Sequence, residues 1–180
     1  DRLQKGDILI LAGSIPASLA QTTYERILAR LEGRDIRAVV DATRDLLVNV
    51  LRYKPFLIKP NNHELSEIAG VKLTNDNEIV TAARMMQAKG ARNVLVSMAG
   101  DGALLLDEQG GVHRIGCPKG KVVNSVGAGD SMVAGFVAGY QQSGGDYAAA
   151  LKLGTACGSA TAFSLGLATK ADIDKLLKTM

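Results

Sequence analysis

The chemistry most open to reading in this sequence lies in Asn124-Ser125-Val126-Gly127-Ala128-Gly129-Asp130, which runs straight into Ser131-Met132-Val133-Ala134-Gly135. Two glycines with an alanine between them let main chain approach an anion closely. A helix that follows presents unpaired amide N–H groups and the positive end of its dipole, a seat for a phosphoryl group. Asp130 stands at the same place, where a carboxylate is stabilised as the ion and can take a proton from an alcohol. An anion seat with an adjacent base is what phosphoryl transfer to a hydroxyl requires. Taken alone, the same residues also make an ordinary N-cap with glycines for the turn.

Three further segments offer polar groups where predicted strands end. Lys59-Pro60-Asn61-Asn62-His63-Glu64 follows an apolar run, and ligands of open α/β sheets bind at the carboxyl ends of strands. Asn61 with Glu64 three residues on is a capping-box variant, yet a solvated carboxylate there can also hold magnesium through water. Ser97-Met98-Ala99-Gly100-Asp101-Gly102 leaves another apolar run, and its glycines could let a nucleotide lie against the backbone or simply make a turn at positive φ. Gly13-Ser14-Ile15-Pro16 supplies a hydroxyl and free amides after the first run, or a plain strand-to-helix loop.

These segments need a frame. Near-continuous apolar runs at Ile8–Leu11, Ile36–Asp41, Phe56–Lys59 and Asn93–Met98 predict strands covered on both faces, with a further run at Ala103–Leu106. Helical patterns cover Ala20–Leu31, Arg44–Leu51, Asn61–Ala69 and Glu78–Lys89. The alternation predicts a parallel sheet with right-handed crossovers. Ala103–Leu106, a Glu108–Gly111 turn and Val112–Ile115 read as a hairpin. Three helices rich in small residues follow, at Ser131–Gln142, Tyr147–Phe163 and Lys170–Lys178. No repeat or linker interrupts residues 1–180, so one domain is expected.

Composition excludes several classes. A formal charge of +3 over 180 residues is too small to argue for nucleic acid or an anionic membrane. Three Phe, four Tyr and no Trp leave no stacking surface for single strands. Cys117 and Cys157 make no disulfide framework or CxxC pair, and with only His63 and His113 beside them a soft-ligand metal cluster is not expected. Neither a leader nor a stretch of membrane-spanning length is present, so a cytoplasmic protein is expected. No GxxxxGK[ST] occurs and no GxGxxG follows a strand, which sets aside P-loop and dinucleotide-binding readings. A strand predicted so near Asp1 suggests that the chain is a C-terminal piece of something longer.

Taken in order, GSIP at Gly13–Pro16, KPNNHELSEIAG at Lys59–Gly70, VSMAGDGALL at Val96–Leu105 and VVNSVGAGDSMVAGF at Val122–Phe136 resemble the ribokinase-like carbohydrate kinases, the phosphofructokinase B family. The resemblance implies a three-layer α/β/α sandwich with a mainly parallel sheet and a C-terminal hairpin, its N-terminal part and β lid absent from this chain. It implies ATP and Mg2+ as cofactors and a sugar phosphate as partner. Within the family the motifs are most similar to members that convert fructose 1-phosphate to fructose 1,6-bisphosphate; a tagatose-6-phosphate kinase is the nearest alternative, and a non-catalytic nucleotide-binding module the one of another class. By position, Asp130 would be the base and the amides of Gly127, Ala128 and Gly129 the anion hole. Asn61 and Glu64 would organise magnesium and the phosphates, Glu64 through water. Ser97, Met98, Ala99, Gly100, Asp101 and Gly102 would line the nucleotide, with Ala156 and Ser159 flanking the adenine. Gly13 and Ser14 would lie on the sugar side. The absent part would carry most sugar contacts and a homodimer interface, so this chain alone is expected to turn over poorly.

Overall fold

The computed structural model describes residues 2–180. They form an α/β fold with a mostly parallel six-stranded sheet, in the order β1-β2-β3-β4-β5-β6, and seven α-helices among the described residues. The strands are β1 (Ile8–Ala12), β2 (Arg37–Asp41), β3 (Leu57–Ile58), β4 (Asn93–Ser97), β5 (Ala103–Leu106) and β6 (Val112–Ile115). The helices are α1 (Thr23–Leu31), α2 (Arg44–Val50), α3 (Asn62–Ala69), α4 (Asp76–Ala88), α5 (Ala128–Gln142), α6 (Tyr147–Ala162) and α7 (Lys170–Leu177). The residues group into two compact units. One takes the chain up to Val96 together with Leu106–Gly111, the other Ser97–Leu105 with Val112–Met180. Neither is a continuous stretch.

In the first unit β1 to β4 pair in parallel, with Ile10 opposite Val39, Val39 opposite Leu57 and Leu57 opposite Asn93. Val39, Val40, Leu57, Ile58, Val94, Leu95 and Val96 are fully buried, as continuous apolar runs require. β1 departs from the expectation of cover on both faces: Ile10 is 41% exposed. It lies at one end of the sheet order, and hydrophobicity alone does not report whether a neighbour is present. The turn after β5 closes on Asp107, whose carboxylate accepts from the amides of Gln109 (2.8 Å) and Gly111 (2.9 Å). An aspartate that folds back on its own main chain in this way makes an Asx turn.

In the second unit α5 and α6 pack along small residues. A Cβ at Gly139 would stand 2.9 Å from the Ala150 Cα, and one at Gly154 2.9 Å from the Met132 carbonyl. Both helices carry Gly-x-x-x-Gly, at 135/139 and 154/158, so one face of each lacks side chains and the backbones approach. Phe136 and Ala150 beside this seam are completely buried.

The Ser97–Gly102 segment is a single 3-10 turn over Ala99–Asp101, clamped by the Met98 amide donating to the Gly102 carbonyl (2.8 Å). Gly102 has φ 90°, and a Cβ there would stand 2.1 Å from the Ile115 carbonyl oxygen. Gly100 is outside the positive-φ region and Ala99 occupies it instead, at φ 48°, so only one of the two glycines expected there serves that purpose. Gly102→Ala should destabilise the protein by about 2 kcal/mol or more, from strain and collision together, as read by urea unfolding.

Candidate active site

Helix α5 begins at Ala128, three residues before the sequence pattern placed it, with Gly127 as its N-cap at φ 79°. Asp130 is therefore the third residue of the helix and not a cap. Among the described residues no side-chain cap bond is made to the first turn of α5. By contrast Asn61, Asn75, Asp146 and Thr169 each cap their helices, α3, α4, α6 and α7. The Ala128 amide donates to the Ser125 carbonyl (3.2 Å), and the Ser131 amide reaches back to the Gly127 carbonyl (2.9 Å). The amides of Gly129 and Asp130 belong to the set that a helix cannot satisfy internally. Asp130 is exposed and has no hydrogen-bond or ion-pair partner among the described residues. Bare donors and a free carboxylate thus share one turn, beside the positive end of a fifteen-residue helix.

The bend before α5 is braced from several sides. The amides of Val123 and Asn124 donate to the Ala162 carbonyl (2.8 and 3.2 Å) at the end of α6. The Asn124 side chain accepts from the Val126 amide (3.0 Å) and donates to the Leu165 carbonyl (3.1 Å). Ser131 and Thr161 join hydroxyls at 2.9 Å. Thr161 and Ser131 were not singled out from sequence, since nothing in a lone hydroxyl marks a brace. Ala156 is buried within α6, and Ser159, 7% exposed, turns its hydroxyl toward the Cys117 sulfur at 3.6 Å. Both cysteines are free, and burial pushes the Cys157 thiol above its ordinary range.

In the first unit Asn61 caps α3. Its side chain accepts from the amides of His63 and Glu64 (2.9 Å each), and the Glu64 carboxylate accepts from the Asn61 amide (2.8 Å). The capping box expected from Asn61 and Glu64 is complete. It engages one Glu64 carboxylate oxygen, Oε2, so capping does not exhaust the carboxylate. His63 is exposed on the first turn, and His113, half-buried, lies against Tyr147 with ring centres 6.2 Å apart.

Gly13 and Ser14 are exposed just beyond β1, with Gly13 at φ 85° and its amide donating to the Asp41 carbonyl (3.0 Å). The Tyr24 hydroxyl donates to the carbonyls of Ala12 (2.8 Å) and Gly13 (3.1 Å). Burial, reinforced by the Asp41 charge, raises the pKa of Tyr24, so the donor keeps its proton. Next to this turn Lys59 Nζ pairs with Asp41 Oδ1 at 3.2 Å, both side chains largely covered. This pair went unread in the sequence. Its signal was two charges of opposite sign ending two neighbouring apolar runs. Gly13, Ser14, Asp41, Lys59, Asn61 and Glu64 all stand at or just beyond the carboxyl ends of β1, β2 and β3, where open α/β sheets bind ligands.

Among the described residues no group of three or more His, Cys, Asp or Glu side chains is placed to hold a metal ion. No helix among them is long and apolar enough to cross a membrane.

The geometry has close relatives. The chain is 47% identical over 175 residues to the 1-phosphofructokinase of Bacillus subtilis, a match that takes in 97% of this chain and 57% of that protein. It is 36% identical over 179 residues to a D-tagatose-1-phosphate kinase of Bacillus licheniformis, covering 99% of this chain and 57% of that one. The chain therefore spans little more than half the length of these relatives. Among solved structures, phosphofructokinase-2 from Escherichia coli in complex with substrates and products superposes with a TM-score of 0.90 at 27% identity, covering 98% of this chain and 58% of that one. Residues 1–174 match the pfkB family of carbohydrate kinases, and the chain belongs to that family.

Proposed function

We propose that the protein carrying this chain transfers the γ-phosphoryl group of ATP to fructose 1-phosphate, giving ADP and fructose 1,6-bisphosphate. In this reading residues 1–180 are the nucleotide-binding part of one cytoplasmic kinase domain. Segments outside the chain supply most sugar contacts and a lid through which two copies pair. The observation that carries the proposal is the first turn of α5, which has no side-chain cap and holds the unpartnered Asp130.

The attacking sugar hydroxyl gives its proton to Asp130 as its oxygen bonds to the γ-phosphorus. The bond from that phosphorus to the β–γ bridging oxygen breaks, and ADP leaves with the electron pair. Charge on the transferring group falls to the amides of Gly127 and Gly129, which need no reorganisation as it passes; the Ala128 amide, already bonded to the Ser125 carbonyl, is not free to join them. Most of the acceleration is placement and charge stabilisation, since phosphoryl transfer asks little covalent chemistry of a protein.

Magnesium fits the donor set. It keeps several waters and is held through one or two carboxylates plus substrate phosphates, and Glu64 has a carboxylate oxygen beyond the one used in capping. Glu64, with Asn61 beside it, would hold the ion through water, and the ion would neutralise phosphate charge. Ser97–Gly102 would line the nucleotide with Ala156 and Ser159 at the adenine, and Gly13 and Ser14 would face the sugar.

The relationship to a D-tagatose-1-phosphate kinase favours a second acceptor. Turnover of fructose 1-phosphate, tagatose 1-phosphate, tagatose 6-phosphate, fructose 6-phosphate and ribose by the full-length protein, compared side by side, should rank fructose 1-phosphate first; a higher kcat/KM for another sugar reassigns the acceptor. Asp130→Asn keeps the shape and removes the basicity. It should lower kcat by about 10²–10⁴-fold, and a rate within a few-fold of wild type would rule out the base. Glu64→Gln should raise the magnesium concentration needed for half-maximal velocity; an unchanged requirement leaves Glu64 with capping alone.

A further inference from the structure

We propose that Lys59 and Asp41 are positioning residues, a largely covered charge pair that orients the amino end of α3 and so the Asn61–Glu64 cap. The functional consequence rests on the reading of that cap as the magnesium-organising element; the positioning itself does not.

The pair stands where an apolar contact would serve stability as well. Lys59 is 6% exposed, and its neighbours Val40 and Ile58 are fully buried. Bringing an ammonium and a carboxylate out of water costs about as much as their attraction returns, so burial of such a pair is poor evidence for a stabilising role. Unlike an apolar contact, it fixes a direction. Nζ of Lys59 must lie within hydrogen-bonding reach of Asp41 Oδ1, 3.2 Å away.

That direction bears on both flanking segments. Asp41 ends β2, and its main-chain carbonyl also receives the Gly13 amide (3.0 Å). The Lys59 amide donates to the Val40 carbonyl (3.2 Å). Pro60 then intervenes, with no N–H to offer, and the next residue is Asn61, the cap itself. The Lys59 side chain thus ties the chain sideways to β2 just before a residue that can donate no main-chain hydrogen bond. Pro60 also holds its own φ fixed, so an orientation set at Lys59 passes to Asn61 with little slack.

Amide hydrogen exchange in the full-length protein separates positioning from general support. The Glu64 amide, bonded to the Asn61 side chain, reports on the cap of α3. The Glu78 amide, bonded to the Asn75 side chain at 3.0 Å, is a matched reporter on the cap of α4. Lys59→Met should accelerate exchange at Glu64 and leave Glu78 unchanged. It should also raise the magnesium needed for half-maximal velocity by roughly 10-fold or more, the usual loss when a supporting partner is removed. Lys59→Arg, which keeps the charge, should restore part of both. Asp41→Asn, close in shape, should show the same selective acceleration and covers the case in which Lys59→Met does not fold. Equal acceleration at Glu64 and Glu78, or none at Glu64, would overturn the proposal. Selective acceleration together with a Glu64→Gln protein of unchanged magnesium requirement upholds the positioning and removes the metal reading instead.

Discussion

The close approach of α5 and α6 is the constraint behind the second unit. Helices that meet through ordinary side chains stand 8–10 Å apart, with room for adjustment. Here the meeting face is glycine, and a Cβ at Gly158 would already stand 3.0 Å from the Ala128 carbonyl, the first residue of α5. The start of α5 is thus fixed against the far half of α6 by main chain, and the Ser131–Thr161 hydroxyl contact and the Asn124–Ala162 main-chain bond repeat the fixation on either side. Under the proposed function this matters, since a phosphoryl seat made of amides works only if those amides do not move to meet their ligand.

The first unit answers the same demand by different means. Its candidate residues hang from the ends of parallel strands, where the ladder stops and the chain is least constrained. Tyr24 ties down the Gly13 turn, the reciprocal Asn61–Glu64 bonds close the end of α3, and a single ion pair crosses from β2 to the chain leaving β3. Polar groups that could have been apolar are spent at the strand ends, while the strand centres stay purely hydrophobic.

Much of this was legible in the residues because local signals agreed. The strand-helix alternation, the hairpin and the Asn61–Glu64 cap each follow from patterns within a few residues of one another. The start of α5 did not follow, because Gly127 and Gly129 read as loop-formers, and the close approach of Ala128 to Gly158 joins residues far apart in sequence. The Lys59–Asp41 pair left only a weak signal for a related reason. It joins two strand ends far apart in sequence, and neither residue alone differs from a surface charge. Asp130 was read by type and spacing, whereas its lack of a partner among the described residues is a fact of three dimensions.

The terminal position of β1 carries a consequence of its own. One flank of that strand pairs with β2 and the other meets no strand among the described residues, while Ile10 within it is 41% exposed. A strand at the end of a sheet offers main-chain donors and acceptors in the spacing that an extended segment needs. A sheet edge of this kind is open to a further extended segment, whether from the same protein or from a second copy.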